Sequence, residues 1–459
     1  QIFEKGGFDV VIGNPPYVNS KGLNFNSIEK EYYYKNYKTA IYQIDTYLLF
    51  LEKIKFLINS DGIGSYIIPN SWLNNLFLKD VRKFVLETYS IDEIVNTPNG
   101  VFADATVDTI IITVVNKLII NNNVKISKIF NSEISLSHTK EQQTFINSEN
   151  YSIDIFSDDK TTELIEKIEF KKNKLKDFTK IGRGVGVYHK RVGHTKEIIA
   201  NDPYQSNTKK DETFVPYLRG KNIGFYSFDW NDDSFISYGN WLAEPREIDF
   251  FEGERIVLRQ IPSKNKLLVT FLKEGFIIDQ SVFIARFIEN ILAPKYILSI
   301  LGSTLMSFYF KNKYSEFDDL FPKVKLQHFK DFPILKIENE LQVAHIDKVD
   351  LLLNMNKQFQ EQSQKFQRTI QRKFEIETLP KKLQDWYLLS YADFVKELAK
   401  LKIKLTLSQE AEWEDYFIPE AKKMLDIKNE INATDKTIDK MVYELYGLST
   451  EEIEIIEKS

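Results

Sequence analysis

The sequence predicts an α/β layer over its first part, then a mixed, β-rich α+β middle and a helical C-terminal region. Three observations carry this prediction. Strand-type and helix-type apolar runs alternate at short spacing up to residue 95, short β-like runs punctuated by Gly, Pro, Asn and Asp fill the stretch from Phe178 to Leu335, and helical periodicity dominates beyond Glu338. A chain of 459 residues implies two to four domains, since domains usually hold about 100–200 residues. Hydrophobic residues at 43%, with 34 Phe and 23 Tyr, suffice for sizeable cores and exclude wholesale disorder.

Phe8-Asp9-Val10-Val11-Ile12-Gly13 is a short apolar run of buried-strand type, stopped by Asn14-Pro15-Pro16. An aromatic, polar stretch follows, from Tyr32-Tyr33-Tyr34 to Tyr42. Asp45, Leu48, Leu49, Leu51, Ile54 and Leu57 then space as one face of a helix, which Asp61-Gly62 is expected to end. Residues 63–68 read as a buried strand, 76–86 as a second helix and 91–95 as a further strand, so the sheet is expected to be mostly parallel. The runs 106–115 and 124–129 have no helical pattern between them, only Asn121-Asn122-Asn123, which suggests an antiparallel hairpin closing the sheet edge. Residues 138–159 are polar and irregular, and 161–170 form a charged amphipathic helix.

In the middle part the strand candidates are 182–187, 214–218, 225–228, 256–259, 267–272, 276–278 and 282–286. A helix over 297–309 and a closing run at 329–335 follow. Met424, Ile431, Ile438 and Leu445 recur every seven residues, with Ile427 and Met441 on the adjacent offset. So short a seam favours a helical hairpin within the chain over an intermolecular coiled coil. The resulting divisions are 1–135, a linker and helix at 136–176, 177–336 and 337–459.

Several chemistries are excluded. With no cysteine there is no disulfide framework, thiolate zinc site or cysteine nucleophile, which fits a reducing cytoplasm. No apolar run reaches the ~18 residues that span a bilayer. The 5 His, His189 and His194 among them, show no metal-binding spacing and default to polar surface positions, so no metal site is expected. No P-loop occurs. The first residue is Gln1 and a turn-bearing strand starts at once, so the chain is expected to be a fragment of a longer one.

Asn14-Pro15-Pro16-Tyr17 sits where a buried strand ends, the usual edge for a site in an open α/β sheet. An exocyclic amine such as that of adenine is a poor nucleophile because its lone pair is delocalised into the ring. The Asn14 side-chain oxygen and the Pro15 carbonyl, which the prolines hold in one direction, can accept its two hydrogens and draw the nitrogen toward tetrahedral geometry. Tyr17 can stack on a base flipped out of a duplex.

These residues resemble motif IV of the adenine-specific DNA methyltransferases. Asp45-Thr46-Tyr47-Leu48-Leu49-Phe50 resembles motif V, which nominates Phe50 as a wall for the adenine of S-adenosylmethionine. Gly62 to Asn70 resembles motif VI, and Gly100-Val101-Phe102 motif VIII, which nominates Phe102 to pack on the flipped base; plain core packing is the alternative for both aromatics. The resemblance implies a partial Rossmann-like methyltransferase sheet. In that family the glycine-rich S-adenosylmethionine loop lies well upstream of the catalytic tetrapeptide, whereas only 13 residues precede Asn14. The chain is therefore expected to lack the main cofactor-binding half and to be inactive alone. Gly182-Arg183-Gly184-Val185-Gly186, with Asp202 beyond, does not replace that loop, because its spacing differs and no helix follows.

Ile181 to Val187, Pro216-Tyr217-Leu218-Arg219-Gly220-Lys221-Asn222-Ile223, and Leu301-Gly302-Ser303 with Lys330-Asp331-Phe332-Pro333-Ile334 look like the target recognition domain of type IIG restriction–modification enzymes. The stretches around Glu412 to Phe417 and Asp439 to Leu448 are similar to their helical end. This resemblance implies double-stranded DNA as partner. It implies Mg2+ only for a nuclease domain, and no common nuclease motif stands out here.

A formal charge of -5 is unusual for a DNA-binding protein, but it is an average. Residues 160–221 hold 15 Lys and Arg against 8 Asp and Glu, and acid collects in the C-terminal helices, as at 410–420 and 451–457. Arg183, Lys190, Arg191, Arg219 and Lys221 are candidates for phosphate or guanine contacts, and Arg259 with Lys264 and Lys266 forms a weaker cluster. The leading expectation is a fragment of a site-specific DNA adenine methyltransferase of a type IIG enzyme. Two alternatives stay open: a DNA-binding specificity module without activity of its own, and a protein-glutamine methyltransferase, whose side-chain amide presents the same amine geometry.

Overall fold

The computed structural model describes residues 4–458 apart from 5, 21–24, 42, 98–107, 131–132, 157–158, 264–265, 289–290 and 315–322. The chain divides into two compact units, Gln1–Leu164 and Ile165–Ser459.

The first unit begins with β1 (Phe8–Gly13) and α1 (Ser27–Asn36), whose N-terminus is closed by reciprocal hydrogen bonds between Asn26 and Glu29. It continues through α2 (Thr46–Leu57), β2 (Ile58–Pro69), α3 (Lys79–Thr88), β3 (Ser90–Asn96) and β4 (Thr109–Val115) to β5 (Asn123–Phe130), β6 (Glu133–Glu141) and α4 (Gln142–Asn147). One six-stranded sheet results, in the order β1-β2-β4-β3-β5-β6. Only β1 with β2 and β3 with β5 pair in parallel.

The sheet is therefore mixed, where a mostly parallel one was expected. The difference lies in β4, which pairs antiparallel to both β2 and β3 inside the sheet and does not close its edge. Its sequence TIIITVV suits that place, because Ile110, Ile112 and Val114 are buried. The antiparallel hairpin is formed instead by β5 and β6. Asp61-Gly62 likewise does not end a helix. α2 stops at Leu57, and Gly62 lies within β2 at an irregularity in the β1 pairing, where a Cβ would sit 2.9 Å from the Phe8 carbonyl oxygen.

Residues 138–159, which read as a polar irregular stretch, belong to this unit because their polar groups turn inward. The buried Gln142 amide donates to the carbonyls of Leu86 (3.0 Å) and Tyr89 (2.8 Å) and accepts from the Ile91 N–H (2.9 Å). The fully buried Arg82 guanidinium donates to the carbonyls of Trp72 (2.7 Å), Asn75 (2.8 Å) and Asn150 (2.9 Å). Burial lowers its pKa to about 10.

Across the division runs α5 (Asp159–Glu169). The second unit then contains β7 (Asn173–Lys174), β8 (Thr179–Arg183), α6 (Lys196–Asn201), β9 (Gln205–Ser206), β10 (Phe214–Leu218), β11 (Phe235–Ser237), β12 (Arg255–Arg259), β13 (Val269–Leu272), β14 (Ile277–Ile278) and β15 (Val282–Phe287). After these come α7 (Pro294–Leu301), α8 (Thr304–Tyr314), α9 (Leu326–Lys330) and β16 (Pro333–Ile334). Two four-stranded sheets, β14-β10-β11-β9 and β13-β12-β15-β8, share one apolar core that includes Val185, Tyr217, Ile236, Val257 and Ile284.

Residues 225–228, expected as a strand, form a tight turn with Tyr226 at φ 48° and Gly224 N–H donating to the Ser227 carbonyl. The Tyr226 ring then packs on Gly302, where a Cβ would come within 2.4 Å of its hydroxyl. The helix expected over 297–309 breaks at this point into α7 and α8. β11, only three residues long, is a central strand that the sequence did not announce.

The C-terminal region comprises α10 (Asn339–Phe374), α11 (Lys381–Gln384), α12 (Tyr391–Lys400), α13 (Leu407–Leu445) and α14 (Thr450–Lys458). α10 and α13 pack against each other as a hairpin, as the short seam implied. Met424 and Ile438 are fully buried in α13. Phe366 stacks on Trp386 at 3.6 Å and on Tyr416 at 5.4 Å, within an aromatic core that also holds Trp413 and Phe417.

Candidate active site and nucleic-acid interface

Asn14, Pro15, Pro16 and Tyr17 follow the C-terminal end of β1. The turn is fixed from two sides. Thr46, at the start of α2, donates its hydroxyl to the Pro16 carbonyl and accepts from the Val18 N–H (3.0 Å). The Tyr17 hydroxyl lies 3.0 Å from both the Asn14 Oδ1 and the Ile67 carbonyl oxygen of β2. It has one proton to donate, so the two acceptors share it.

The Tyr17 ring meets Tyr47 edge to face at 6.0 Å, and burial pushes its hydroxyl pKa up. Pro15 is buried, whereas Asn14 is exposed. No described residue hydrogen-bonds to the Pro15 carbonyl. Two acceptors, the Asn14 amide oxygen and this carbonyl, thus stand beside a half-exposed aromatic ring.

Phe50 does not join the core. It is 40% exposed, edge-on to Tyr66 at 6.4 Å, and Tyr66 also lies against Gly13 at the end of β1. Phe102 lies outside the described residues. Thr46, Tyr47 and Asp45 complete the turn and were missed as site residues. The Asp45 carboxyl, raised in pKa first by burial, accepts from the Asn19 amide, and the Thr46 and Tyr47 N–H groups oppose that rise. The signal for all three was their place in the stretch before Phe50.

In the second unit, four of the basic candidates converge. Arg183 ends β8 and pairs with Phe283, while Arg259 ends β12 and pairs with the adjacent Val282. Arg219 and Lys221 flank Gly220, whose N–H donates to Ser281 Oγ at 3.0 Å and whose Cβ, if present, would meet Arg259. Arg183, Arg219, Lys221 and Arg259 therefore surround one loop, residues 279–281. The Arg219 guanidinium lies over the Tyr217 ring at 5.5 Å.

Asp279 sits in the same loop with its carboxyl pKa raised, first by burial, against the lowering effect of Ser281 and Arg219. Gly184 lets the chain pass this loop, since a Cβ there would fall 2.0 Å from the Ile278 carbonyl oxygen. This glycine serves close packing and not a phosphate cradle.

Lys190 and Arg191 stand exposed on a separate one-turn segment, Lys190–Val192. His189 and His194 shape it. The His194 ring accepts from the His189 N–H (3.1 Å) through Nδ1 and faces the Trp241 carbonyl (2.9 Å) with Nε2, so Nε2 carries the proton of a neutral ring. His194 is buried, which corrects its expected surface position.

The weaker cluster does not hold as a free surface. Lys266 is paired with Asp435 at 2.6 Å and lies 3.8 Å over the Phe225 ring, and Lys264 lies outside the described residues. Among the described residues no group of His, Asp and Glu is arranged to hold a metal ion, and no helix is long and apolar enough to cross a membrane.

Comparison with known proteins gives three family matches: "Eco57I restriction-modification methylase" over residues 1–102, "TaqI-like C-terminal specificity domain" over 215–334, and a domain of unknown function over 337–442. A provisionally named type II restriction enzyme and methyltransferase of Methanocaldococcus jannaschii, RM.MjaORFECS2P, is 23% identical over 362 residues, which are 74% of this chain and 28% of that protein. The type II restriction enzyme and methyltransferase RM.Eco57I of Escherichia coli is 32% identical over 90 residues, 19% of this chain and 9% of the other.

The chain thus spans between about a tenth and a third of the length of these relatives. A structure of the type IIL restriction-modification enzyme MmeI in complex with DNA aligns with 91% of this chain and 57% of that one, at 12% identity and a TM-score of 0.42. The resemblance to type IIG restriction–modification enzymes is borne out: the chain joins a segment similar to Eco57I restriction-modification methylases to one similar to the TaqI-like specificity domain.

Proposed function

We propose that the chain is part of a site-specific DNA adenine methyltransferase of the type IIG restriction–modification class, with the second unit reading the duplex. The observation that carries this is the fixed Asn14-Pro15-Pro16-Tyr17 turn at the end of β1, and the reading takes the first unit's mixed sheet as a partial Rossmann-like layer. Asn14 Oδ1 keeps an acceptor site beyond the one Tyr17 uses, since an amide oxygen has two lone pairs. That site and the Pro15 carbonyl take the two N–H groups of an adenine amine and localise its lone pair. The Tyr17 ring stacks on the flipped base and offsets part of the few kcal/mol that unstacking costs.

S-adenosylmethionine supplies an electrophilic methyl group, and the exposed Phe50 ring offers its adenine an apolar wall. The cations around loop 279–281 and on the turn 190–192 face double-stranded DNA. The test is methyl transfer by the protein of the full reading frame, with duplex DNA digested to nucleosides and N6-methyladenine measured by mass spectrometry. Asn14→Ala should lower its formation by a factor of about 100 or more, the scale of losing one preorganised acceptor at a developing charge. Undiminished N6-methyladenine in Asn14→Ala, or methylation of glutamine instead of DNA, overturns the reading.

A further inference from the structure

α10 carries two faces of opposite character. Phe359, Phe366, Ile370 and Phe374 turn inward to the aromatic core. At 3.6 residues per turn, Lys357, Glu361, Lys365, Arg368 and Arg372 fall within an arc of about 80° on the opposite side, and all five are exposed. Among the described residues none of these four cations has an ion pair or a side-chain hydrogen bond.

That sets them apart from other lysines of the unit. Lys295 pairs with Asp350 at 2.5 Å, Lys382 with Glu397 at 3.3 Å and Lys266 with Asp435 at 2.6 Å. Lys365, Arg368 and Arg372 are three and four residues apart, so like charges stand side by side and repel. Glu361 is the acid within the row. Around the cleft that Lys357 borders, Asp229 is bonded to Gln364, Asp350 is paired with Lys295, and Glu274 stands on the β-rich side.

We propose that this row is a binding surface for the phosphate backbone of duplex DNA, separate from the loops around residues 190–192 and 279–281. It rests on the reading that the protein binds DNA. From Lys357 to Arg372 the helix rises roughly 22 Å at 1.5 Å per residue, long enough for its four cations to meet separate backbone phosphates of a duplex. Exposed Asn354 and Gln358 beside the row add amide donors of the kind that bind phosphate oxygens. The polyanion removes the mutual repulsion that the row otherwise carries. The surface lies in the stretch that matches a domain of unknown function.

The test uses the full chain and a fluorescent 30-base-pair duplex of arbitrary sequence, with anisotropy titrations between about 50 and 200 mM salt. The variant Lys357→Gln/Lys365→Gln/Arg368→Gln/Arg372→Gln should lower the slope of log affinity against log salt by about 3.6, since each of the four neutralised phosphates contributes ~0.9. A charge-retaining variant, with Lys357→Arg, Lys365→Arg, Arg368→Lys and Arg372→Lys, should keep the wild-type slope and exposes any effect of folding. Arg191→Gln/Lys221→Gln is the comparator for the loops. If the wild type binds with salt dependence and the comparator weakens it, while the glutamine row variant equals wild type, the row is a solvated face and the proposal is overturned with DNA binding intact. If the wild type shows no salt-dependent binding, the DNA reading itself fails, and the row with it.

Discussion

Tyr17 has one hydroxyl proton and two acceptors at 3.0 Å, the Ile67 carbonyl and Asn14 Oδ1. The hydroxyl therefore tethers the turn to β2 while orienting the Asn14 amide. On the proposed reading, Tyr17→Phe keeps the ring for stacking and removes the tether. Methyl transfer is expected to fall three- to tenfold, the equivalent of about 0.5–1.5 kcal/mol for one hydrogen bond, with base affinity nearly unchanged. A kcat and KM measurement on duplex DNA separates this from Tyr17→Ala, which removes the stacking surface too. Asn14 to Tyr17 were legible in the sequence because a Pro-Pro turn directly after an apolar strand is rare punctuation. Thr46 and His194 were not, because each acts on a partner 28 or more positions away, such as Val18 or the Trp241 carbonyl.

At the scale of elements, the polar stretch after residue 138 shows why sequence polarity misleads. Gln142 and Lys140 are buried, each satisfied, the latter by Asp154 at 3.1 Å. Hydropathy counts them as surface, although the Gln142 hydrogen bonds tie the segment to α3 and β3 and the Lys140 pair ties the segment to itself. Arg82 does the same for the turn at Asn150. Arg82→Ala removes a donor from four backbone carbonyls, those of Trp72, Asn75, Asn150 and Tyr151, and leaves a cavity, so the unfolding free energy should drop by roughly 3–5 kcal/mol, read as a lower urea midpoint.

In the second unit, His345 of α10 meets Ser299 of α7 at 2.9 Å, and burial lowers its pKa. A group whose folded pKa lies below its unfolded value of about 6.5 binds protons more readily when unfolded. Its contribution is thus complete above that pH and is lost as pH falls through the lowered folded value. Urea midpoints should fall on acidification below about pH 6.5, and His345→Gln should flatten that part of the profile. A midpoint difference independent of pH would show that the ring titrates alike in the folded and unfolded states and overturn this expectation.

At the scale of the whole molecule, charge was the feature most easily misread. A formal charge of -5 averages an acidic first part and tail against basic loops, and even the tail contains a basic row, set among glutamines with Glu361 as its one acid. Helical phase, not composition, brings Lys357, Lys365, Arg368 and Arg372 onto one side, so the row emerges only once α10 is known to be continuous. The sheets of the second unit were legible in outline from β-type runs such as Phe214–Leu218, found as β10. The inserted β4 and the short β11 were not, since pairing partners far along the chain decide them.

Both basic surfaces lie in the unit Ile165–Ser459, which has its own cores. Expressed alone, residues 165–459 should unfold in one cooperative step and bind duplex DNA with nearly the salt slope of the full chain, without transferring methyl groups. Circular dichroism against urea and anisotropy against salt check the two halves of this expectation. A folded fragment that keeps less than half of the full-chain slope would place most of the phosphate contacts on residues 1–164 and remove the second unit as the principal reader.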